Sequence, residues 1–427
     1  VKKESLIGHI TEALAIFGEH SYIPADAVLR NFFLERKYLG AKDRRDIAIP
    51  YYSIVKHYLR LEAKHIDAWE KQEIHPVLIV AAYYLTYENE KPEEMKRIIR
   101  VMENDLGGDF PIEVFEKMAD PIREEERLAK LDTDERLSVF YSIPLWFVKA
   151  IGREYGEAET EQILSSLNEE ANTVIRANTL VSSTKELEAI FEASGIKTTP
   201  SKISPDALVL QKRINAMEYP SFRKGAFEIQ DEASQLVAPM AHIESPKPRI
   251  LDACAGAGGK TLHFASLIKN RGEIFATDVD SRKLDEAKRR IKRSSAQNVR
   301  IVYPEDRTKY LGKDKREWFD AVLLDVPCTG TGTLRRNPSI KWNLTEDMLT
   351  ALVEKQHTIV EENIGFVKPG GVLLYATCSL LQEESEDQVR KILAEHPEFA
   401  LEEEMRTRVD KDGCDGFYAA RLRKKTT

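Results

Sequence analysis

Along the first 140 residues, apolar positions recur every three or four places: Leu6, Ile7, Ile10, Leu14 and Phe17, then Ile54, Val55, Tyr58 and Leu61. That spacing gathers them on one face of successive helices. Pro24 with Asp26, His75-Pro76 and Lys91-Pro92 mark helix starts, where a missing N–H costs nothing, and Gly107-Gly108 and Pro111 punctuate the end of the region. An all-helical bundle without a catalytic pattern is predicted for 1–140. After the charged run Arg123-Glu124-Glu125-Glu126-Arg127 the period changes. Within 141–240, strands are predicted at 173–178, 207–210 and 226–230, and Ser183-Thr184-Lys185-Glu186 reads as a capping box opening a helix through Phe191. That mixture predicts a small α+β domain.

From about 246 onward, short apolar runs alternate with amphipathic segments. Strands are predicted near 249–254, 273–278, 299–303, 319–325, 371–377 and 416–421, and helices near 260–269, 281–295, 346–367 and 383–395. This alternation predicts an α/β domain over 241–427, a mostly parallel sheet with helices on both faces. The strand ends of such a sheet face one crevice. The first strand, Ile250-Leu251-Asp252-Ala253-Cys254, runs into Ala255-Gly256-Ala257-Gly258-Gly259-Lys260. Glycines in a strand-to-helix turn let backbone amides approach a ligand at the helix N-terminus. The loop lacks the Ser or Thr of an ATP-type phosphate loop. Later strands end at Thr277-Asp278, at Glu305-Asp306 and at Asp325. Each carboxylate alone reads equally well as a helix cap. As a series they suit a nucleoside, with Asp278 on the ribose hydroxyls and Asp306 on an adenine amino group. NAD and S-adenosylmethionine both fit that series.

The cysteines separate the two. Cys254, Cys328, Cys378 and Cys414 are scattered, with neither zinc-site spacing nor the pattern of a disulfide framework. No metal and a reducing, cytoplasmic setting are expected. Cys328 and Cys378 each follow an apolar strand, Ala321-Val322-Leu323-Leu324 and Val372-Leu373-Leu374-Tyr375. Two thiols at strand ends beside a cofactor loop point to one-carbon transfer, and no segment suggests a nicotinamide site. At 427 residues with 42% hydrophobic content, two or three soluble domains are expected. No apolar run approaches the roughly 20 residues of a membrane helix, and Val1-Lys2-Lys3-Glu4-Ser5 lacks a signal peptide's apolar core. The net charge of −8 does not advertise nucleic-acid binding. Local clusters do, at Arg282-Lys283, Lys288-Arg289-Arg290, Lys292-Arg293 and Arg335-Arg336, although such runs are more often solvated helix faces.

The run from Asp325-Val326-Pro327-Cys328 through Arg335, Arg336 and Lys341-Trp342 resembles motif IV of the RNA cytosine-carbon-5 methyltransferases. Thr377-Cys378-Ser379 is similar to their motif VI and Asp252 to Lys260 to their motif I; Gln230 to Ser234 and Asp412 to Phe417 match further signatures. Lys37 to Arg45 is similar to the NusB-like helical domain that precedes the catalytic part in the family's 16S ribosomal RNA enzymes. The resemblance implies a Rossmann-like S-adenosylmethionine methyltransferase domain behind a NusB-like domain and a small RNA-binding domain. It implies Cys378 as nucleophile toward cytosine carbon 6 and Cys328 as the thiol assisting elimination. Asp325 then hydrogen-bonds ring nitrogen 3 and borders the cofactor. Lys260 lowers a thiol's pKa or orients the base, if it does not serve a phosphate or a helix cap. The expected cofactor loop is Cys254, Ala255, Gly256, Ala257, Gly258, Gly259 and Lys260, with Asp278, Asp306 and Asp325. Arg335, Arg336, Lys341 and the 282–293 segment are expected to meet RNA, and the chain is expected to act as a monomer on 16S ribosomal RNA, naked or partly assembled. The helical domain adds RNA-binding surface or docks a ribosomal protein. The same chemistry on transfer RNA and an inactive RNA-binding factor are the alternatives. One departure stands out: Gly256-Ala257 replaces the family's usual Ala-Pro, so a freer loop and weaker cofactor binding are expected.

Overall fold

The computed structural model describes residues 2–71, 73–102 and 109–426, so Gly107 and Gly108 lie outside it. Two compact units result: Val1–Glu169 with Leu334–Thr345, and Glu170–Thr333 with Glu346–Thr427.

The first unit is helical throughout its described residues. Ile7, Ile10, Leu14, Phe17, Ile54, Val55 and Leu61 are buried, as their spacing requires. The helix Pro76–Tyr87 is apolar all round, and Val77 through Leu85 are buried without interruption, so it lies inside the bundle. Helices continue past 140, with Leu145–Tyr155 and Glu157–Ser166 in this unit. The segment Leu334–Thr345 is built into the same helical core. Trp342 meets Phe17 and Tyr58 at ring distances of 4.7 and 4.0 Å, and its indole N–H donates to the Val55 carbonyl at 3.1 Å. Lys341 is buried, and its ammonium donates to the Lys56 carbonyl (3.2 Å), the Tyr141 carbonyl (3.3 Å) and the Asn168 side chain. All three of its N–H groups are thereby engaged. Lys341 is a structural residue of the bundle, which corrects its expected contact with RNA.

The second unit contains two sheets. The smaller has the order β2-β3-β1-β4, from β1 (Thr173–Ala177), β2 (Thr198–Pro200), β3 (Ala207–Leu210) and β4 (Phe227–Ile229), all antiparallel. The Ser183 capping box opens the helix Thr184–Ala193 where predicted, and Leu187 and Phe191 carry its buried face. The larger sheet comprises β5 (Arg249–Asp252), β6 (Glu273–Thr277), β7 (Val299–Val302), β8 (Phe319–Asp325), β9 (Val367–Thr377), β10 (Phe399–Thr407) and β11 (Phe417–Lys424), in the order β10-β11-β9-β8-β5-β6-β7. Strands β5 to β9 run parallel, and β11 inserts antiparallel between β9 and β10. The order reverses between β5 and β8, which makes their carboxyl ends the switch-point crevice. β10 is absent from the sequence prediction, because Glu402-Glu403-Glu404 breaks the alternation of its edge strand. The partner β11 supplies what the pattern lacks: Arg421 and Arg423 pair with Glu402, and Tyr418 donates to Glu404.

Candidate active site

β5 ends at Asp252, and the chain turns through the glycine loop into the helix Gly259–Leu267. Two glycines in that turn hold left-handed backbone. Gly256 sits at φ +51° and Gly258 at φ +81°, where a Cβ would be strained by the backbone and would lie a tight 3.1 Å from the Ala287 side chain. The Gly256 N–H donates to Asp278 Oδ2 at 2.9 Å. The Ala257 carbonyl accepts from Arg290 Nη1 at 2.9 Å, and Arg290 is itself held by the buried Glu228 carboxylate. The loop is therefore tied at both residues where Ala-Pro was expected, and the missing Pro does not leave it free.

A cavity of about 250 Å³ lies over this loop, walled by Gln230, Asp252, Cys254, Ala255, Gly256, Ala257, Gly259, Lys260, Arg290 and Asp325, among others. Asp278 supports the loop from behind through Gly256, and the half-buried Asp306 follows β7 on the turn Pro304–Asp306. Next to Asp278, Val279 is an apolar side chain left 85% exposed, a surface for a flat ring. Asp252 is buried; one oxygen accepts from Thr261 Oγ1 at 2.6 Å, and Oδ1 has no hydrogen-bond partner among the described residues. Burial, with Asp325 and Asp278 adding to it and Thr261 opposing, pushes its carboxyl up to about 7. A buried, unpartnered carboxylate oxygen in a cavity wall fits a ligand cation. The glycine turn with Asp278 behind it, an exposed apolar shelf and this carboxylate together suit S-adenosylmethionine, whose amino-acid end carries an ammonium group.

Asp325 at the end of β8 pairs in register with Ala376 of β9, so the loops after these two adjacent parallel strands emerge side by side. Cys328 Sγ and Cys378 Sγ are 3.3 Å apart. The hydrogen bond to Cys378, burial and the nearby Glu384 carboxylate raise the Cys328 thiol well above its ordinary range. Lys260 Nζ, buried, donates to Asp325 Oδ2 at 2.7 Å and stands 5.0 Å from the ring centre of Phe417. Sequence reasoning named Cys328, Cys378, Asp325 and Lys260, and the fold brings all four to the carboxyl ends of β5, β8 and β9. The other two thiols are held in the protonated form. Burial and three neighbouring carboxylates raise Cys254, and burial pushes Cys414 up to about 12.

The sequence reading missed the residues that brace these loops. Glu384, fully buried, accepts the Thr329 amide N–H (2.9 Å), the Thr329 hydroxyl and Gln356 Nε2 (2.9 Å). The Gly332 amide donates to the Cys378 carbonyl at 3.0 Å, and the Gly416 amide to the Gly332 carbonyl at 2.9 Å. A Cβ on Gly332 would lie 2.0 Å from that neighbouring backbone, so only glycine fits. The two signatures flanking the catalytic motifs also meet: the Asp415 amide donates to Asp231 Oδ1 at 3.1 Å. On the basic helix Ser281–Arg293, Arg290 and Arg293 are spent on Glu228, while Arg282, Lys283, Lys288, Arg289 and Lys292 stay exposed. Arg335 is buried and Arg336 half-buried.

A seven-stranded sheet with this crevice, loop and acidic series defines an S-adenosylmethionine-dependent methyltransferase. Residues 242–423 match the family described as 16S rRNA methyltransferase RsmB/F, and 143–217 match the RsmF/B-like ferredoxin-like domain. The probable ribosomal RNA small subunit methyltransferase B of Bacillus subtilis is 30% identical over 330 residues, 73% of this chain and 70% of that protein. The ribosomal RNA small subunit methyltransferase B of Shewanella oneidensis is 32% identical over 308 residues, 69% of this chain and 70% of its own. Against the probable counterpart from Synechocystis, at 32% identity over 66% of this chain, the match spans 63% of the relative's length. Among solved structures, PH0851 superposes with a TM-score of 0.80 at 27% identity over 99% of both chains. A methyltransferase homolog from Pyrococcus horikoshii superposes at 0.61 and 25% identity, over 69% of this chain and 99% of its own. The chain belongs to the RsmB/F family of 16S rRNA methyltransferases. Among the described residues no helix is long and apolar enough to cross a membrane.

Proposed function

We propose that this protein methylates carbon 5 of a cytosine in small-subunit ribosomal RNA, through a transient bond between Cys378 and carbon 6 of the base. The observation that carries the reading is the pair of sulfurs 3.3 Å apart beside the Lys260–Asp325 ion pair. Cytosine carbon 5 is a weak nucleophile. Addition of the Cys378 thiolate forms the S–C6 bond and moves the C5=C6 electron pair through the ring to nitrogen 3, leaving carbon 5 enamine-like. Nitrogen 3 takes a proton as the pair arrives, passed from the Lys260 ammonium through the Asp325 carboxyl, and gives it back once carbon 5 carries the methyl group. S-adenosylmethionine, when bound, supplies the electrophilic methyl group. Loss of the carbon 5 proton then restores C5=C6 and expels the Cys378 thiolate. Cys328 suits that last step. The hydrogen bond to Cys378, the largest influence raising it, is lost once Cys378 is a thioether, so Cys328 becomes easier to ionise and able to take the proton.

The exposed cations of the helix Ser281–Arg293 and the half-buried Arg336 are the proposed RNA contacts, and the buried Arg335 and Lys341 are left out of that set. Recognition of an unstacked base in a loop, or one flipped from a helix, follows from the need of the Cys378 sulfur to approach the face of the ring at carbon 6. The test is incorporation of labelled methyl groups into unmodified small-subunit ribosomal RNA by the wild type, Cys378→Ala and Cys328→Ala. Label at cytosine carbon 5 is expected in the wild type and absent in Cys378→Ala, with a denaturation-resistant RNA adduct in Cys328→Ala. Label in transfer RNA alone would refute the substrate, and full activity in Cys378→Ala the mechanism.

A further inference from the structure

The two catalytic loops are braced by polar groups of different kinds. On the Cys378 side the braces are neutral: Ser379 Oγ lies 3.3 and 3.2 Å from the Thr329 and Thr331 hydroxyls, and the Leu380 amide donates to Thr331 Oγ1 at 2.9 Å. On the Cys328 side the brace is a carboxylate. Glu384 is 0% exposed, and the two bonds it accepts from Thr329 come from the residue that follows Cys328. Gln356 Nε2 bridges Glu384 to the Pro327 carbonyl at 3.0 Å, the residue before Cys328. The Glu384 side chain thus grips the Cys328 loop on both sides and receives only donors, the pattern of a charged carboxylate. Burying a charge is expensive, and a neutral side chain could brace a loop as well. The negative charge has an electrostatic effect that a neutral brace lacks.

We propose that Glu384 decides which of the two sulfurs is the nucleophile: fixed beside Cys328, its carboxylate disfavours a second negative charge there and leaves Cys378 to carry it. This rests on the two-thiol reading above. The groups facing Cys328 are consistent with it. Cys378 lies 3.3 Å away, and the Gly330 amide donates to Cys328. The Tyr375 hydroxyl is turned to the Glu384 carbonyl at 2.8 Å, its phenol raised first by burial and then by Cys328 and Glu384. Asp325 is matched by Lys260 at 2.7 Å, so that pair adds little net charge. Among these groups Glu384 is the one negative side chain without a cationic partner among the described residues. Glu384 touches neither substrate nor cofactor in this scheme and is a positioning residue.

The test needs neither RNA nor cofactor, so its outcome is separable from that of the methylation assay. The full-length protein is alkylated with iodoacetamide across pH 6 to 10, and each cysteine's rate is read by mass spectrometry. The pH midpoint of each curve reports ionisation rather than access. In the wild type the Cys378 midpoint is expected to lie more than about one pH unit below that of Cys328. Glu384→Gln keeps the size and most hydrogen bonds, and is expected to lower the Cys328 midpoint by about one pH unit or more. Thr329→Val loosens the same loop but keeps the charge, and is expected to leave the order and gap as in the wild type. An unchanged Cys328 midpoint in folded Glu384→Gln overturns the proposal, as does an equal drop in Thr329→Val. Ionisation of Cys328 before Cys378 in the wild type overturns it without any variant.

Discussion

Asp252 is expected to make cofactor affinity depend on pH in a calculable way. Its carboxyl is buried, one oxygen is unpartnered among the described residues, and burial pushes it up to about 7. A ligand ammonium gains only from the ionised form. With a pKa of about 7, roughly half of the protein is ionised at pH 7 and about 3% at pH 5.5. Observed affinity scales with the competent fraction, so S-adenosylmethionine should bind roughly fifteenfold more weakly at pH 5.5 than at pH 7. This window lies below the ordinary range of an α-amino group, about 7.7–8.0, so the ligand's own charge stays constant. Asp252→Asn should bind more weakly at pH 7, by about 1.5–3 kcal/mol for a lost charge-assisted hydrogen bond, and lose the slope. Titration calorimetry in two buffers of different ionisation enthalpy should show nearly one proton released per wild-type binding event near pH 5.5. A wild-type affinity flat across the window, or the same slope in Asp252→Asn, would refute the assignment. The apo protein should show the opposite trend from this group. An unfolded Asp ionises near 4 and the folded one near 7, so the unfolded state holds fewer protons in between and stability falls as pH rises through that window.

Other residues make distinct predictions. Arg290→Ala frees the Ala257 carbonyl but leaves Glu228 paired with Arg293, so cofactor affinity should fall about fivefold, for roughly 1 kcal/mol, with the fold intact by circular dichroism. Lys341→Met removes the ammonium from the Lys56 carbonyl, the Tyr141 carbonyl and the Asn168 side chain, of which the Tyr141 carbonyl keeps Asn168 Nδ2 at 2.7 Å, and should cost about 1–3 kcal/mol in urea unfolding; a loss of RNA affinity without loss of stability would contradict its structural role. With sulfurs 3.3 Å apart, diamide should take two electrons from the Cys328–Cys378 pair, form a disulfide and abolish methyl transfer until a thiol reductant restores it. Both cysteines still alkylatable after that treatment would contradict this spacing.

Local features were legible in the chain. The 3.6-residue period, the Ser183 capping box, the glycine loop and the strand-ending cysteines each lie within about ten residues, where backbone preference and side-chain spacing suffice to specify them. Those features determined the succession of strands in the second unit, apart from the edge strands β2 and β10, and pointed to the four residues proposed for its catalytic centre, while short helices such as Glu232–Val237 carried no such signal. Tertiary structure alone decided what each charge is for. Lys341 and Lys292 read alike in sequence, yet one is a buried brace and the other a solvated cation. Arg290 belongs to a basic cluster, but Glu228, 62 residues away, turns it toward the cofactor loop. Glu384 looked like one more acid on a helix approach until packing enclosed it beside Cys328. The reason is physical: periodicity is a property of neighbouring residues, whereas the work of a charge depends on burial and partners that only the folded chain supplies.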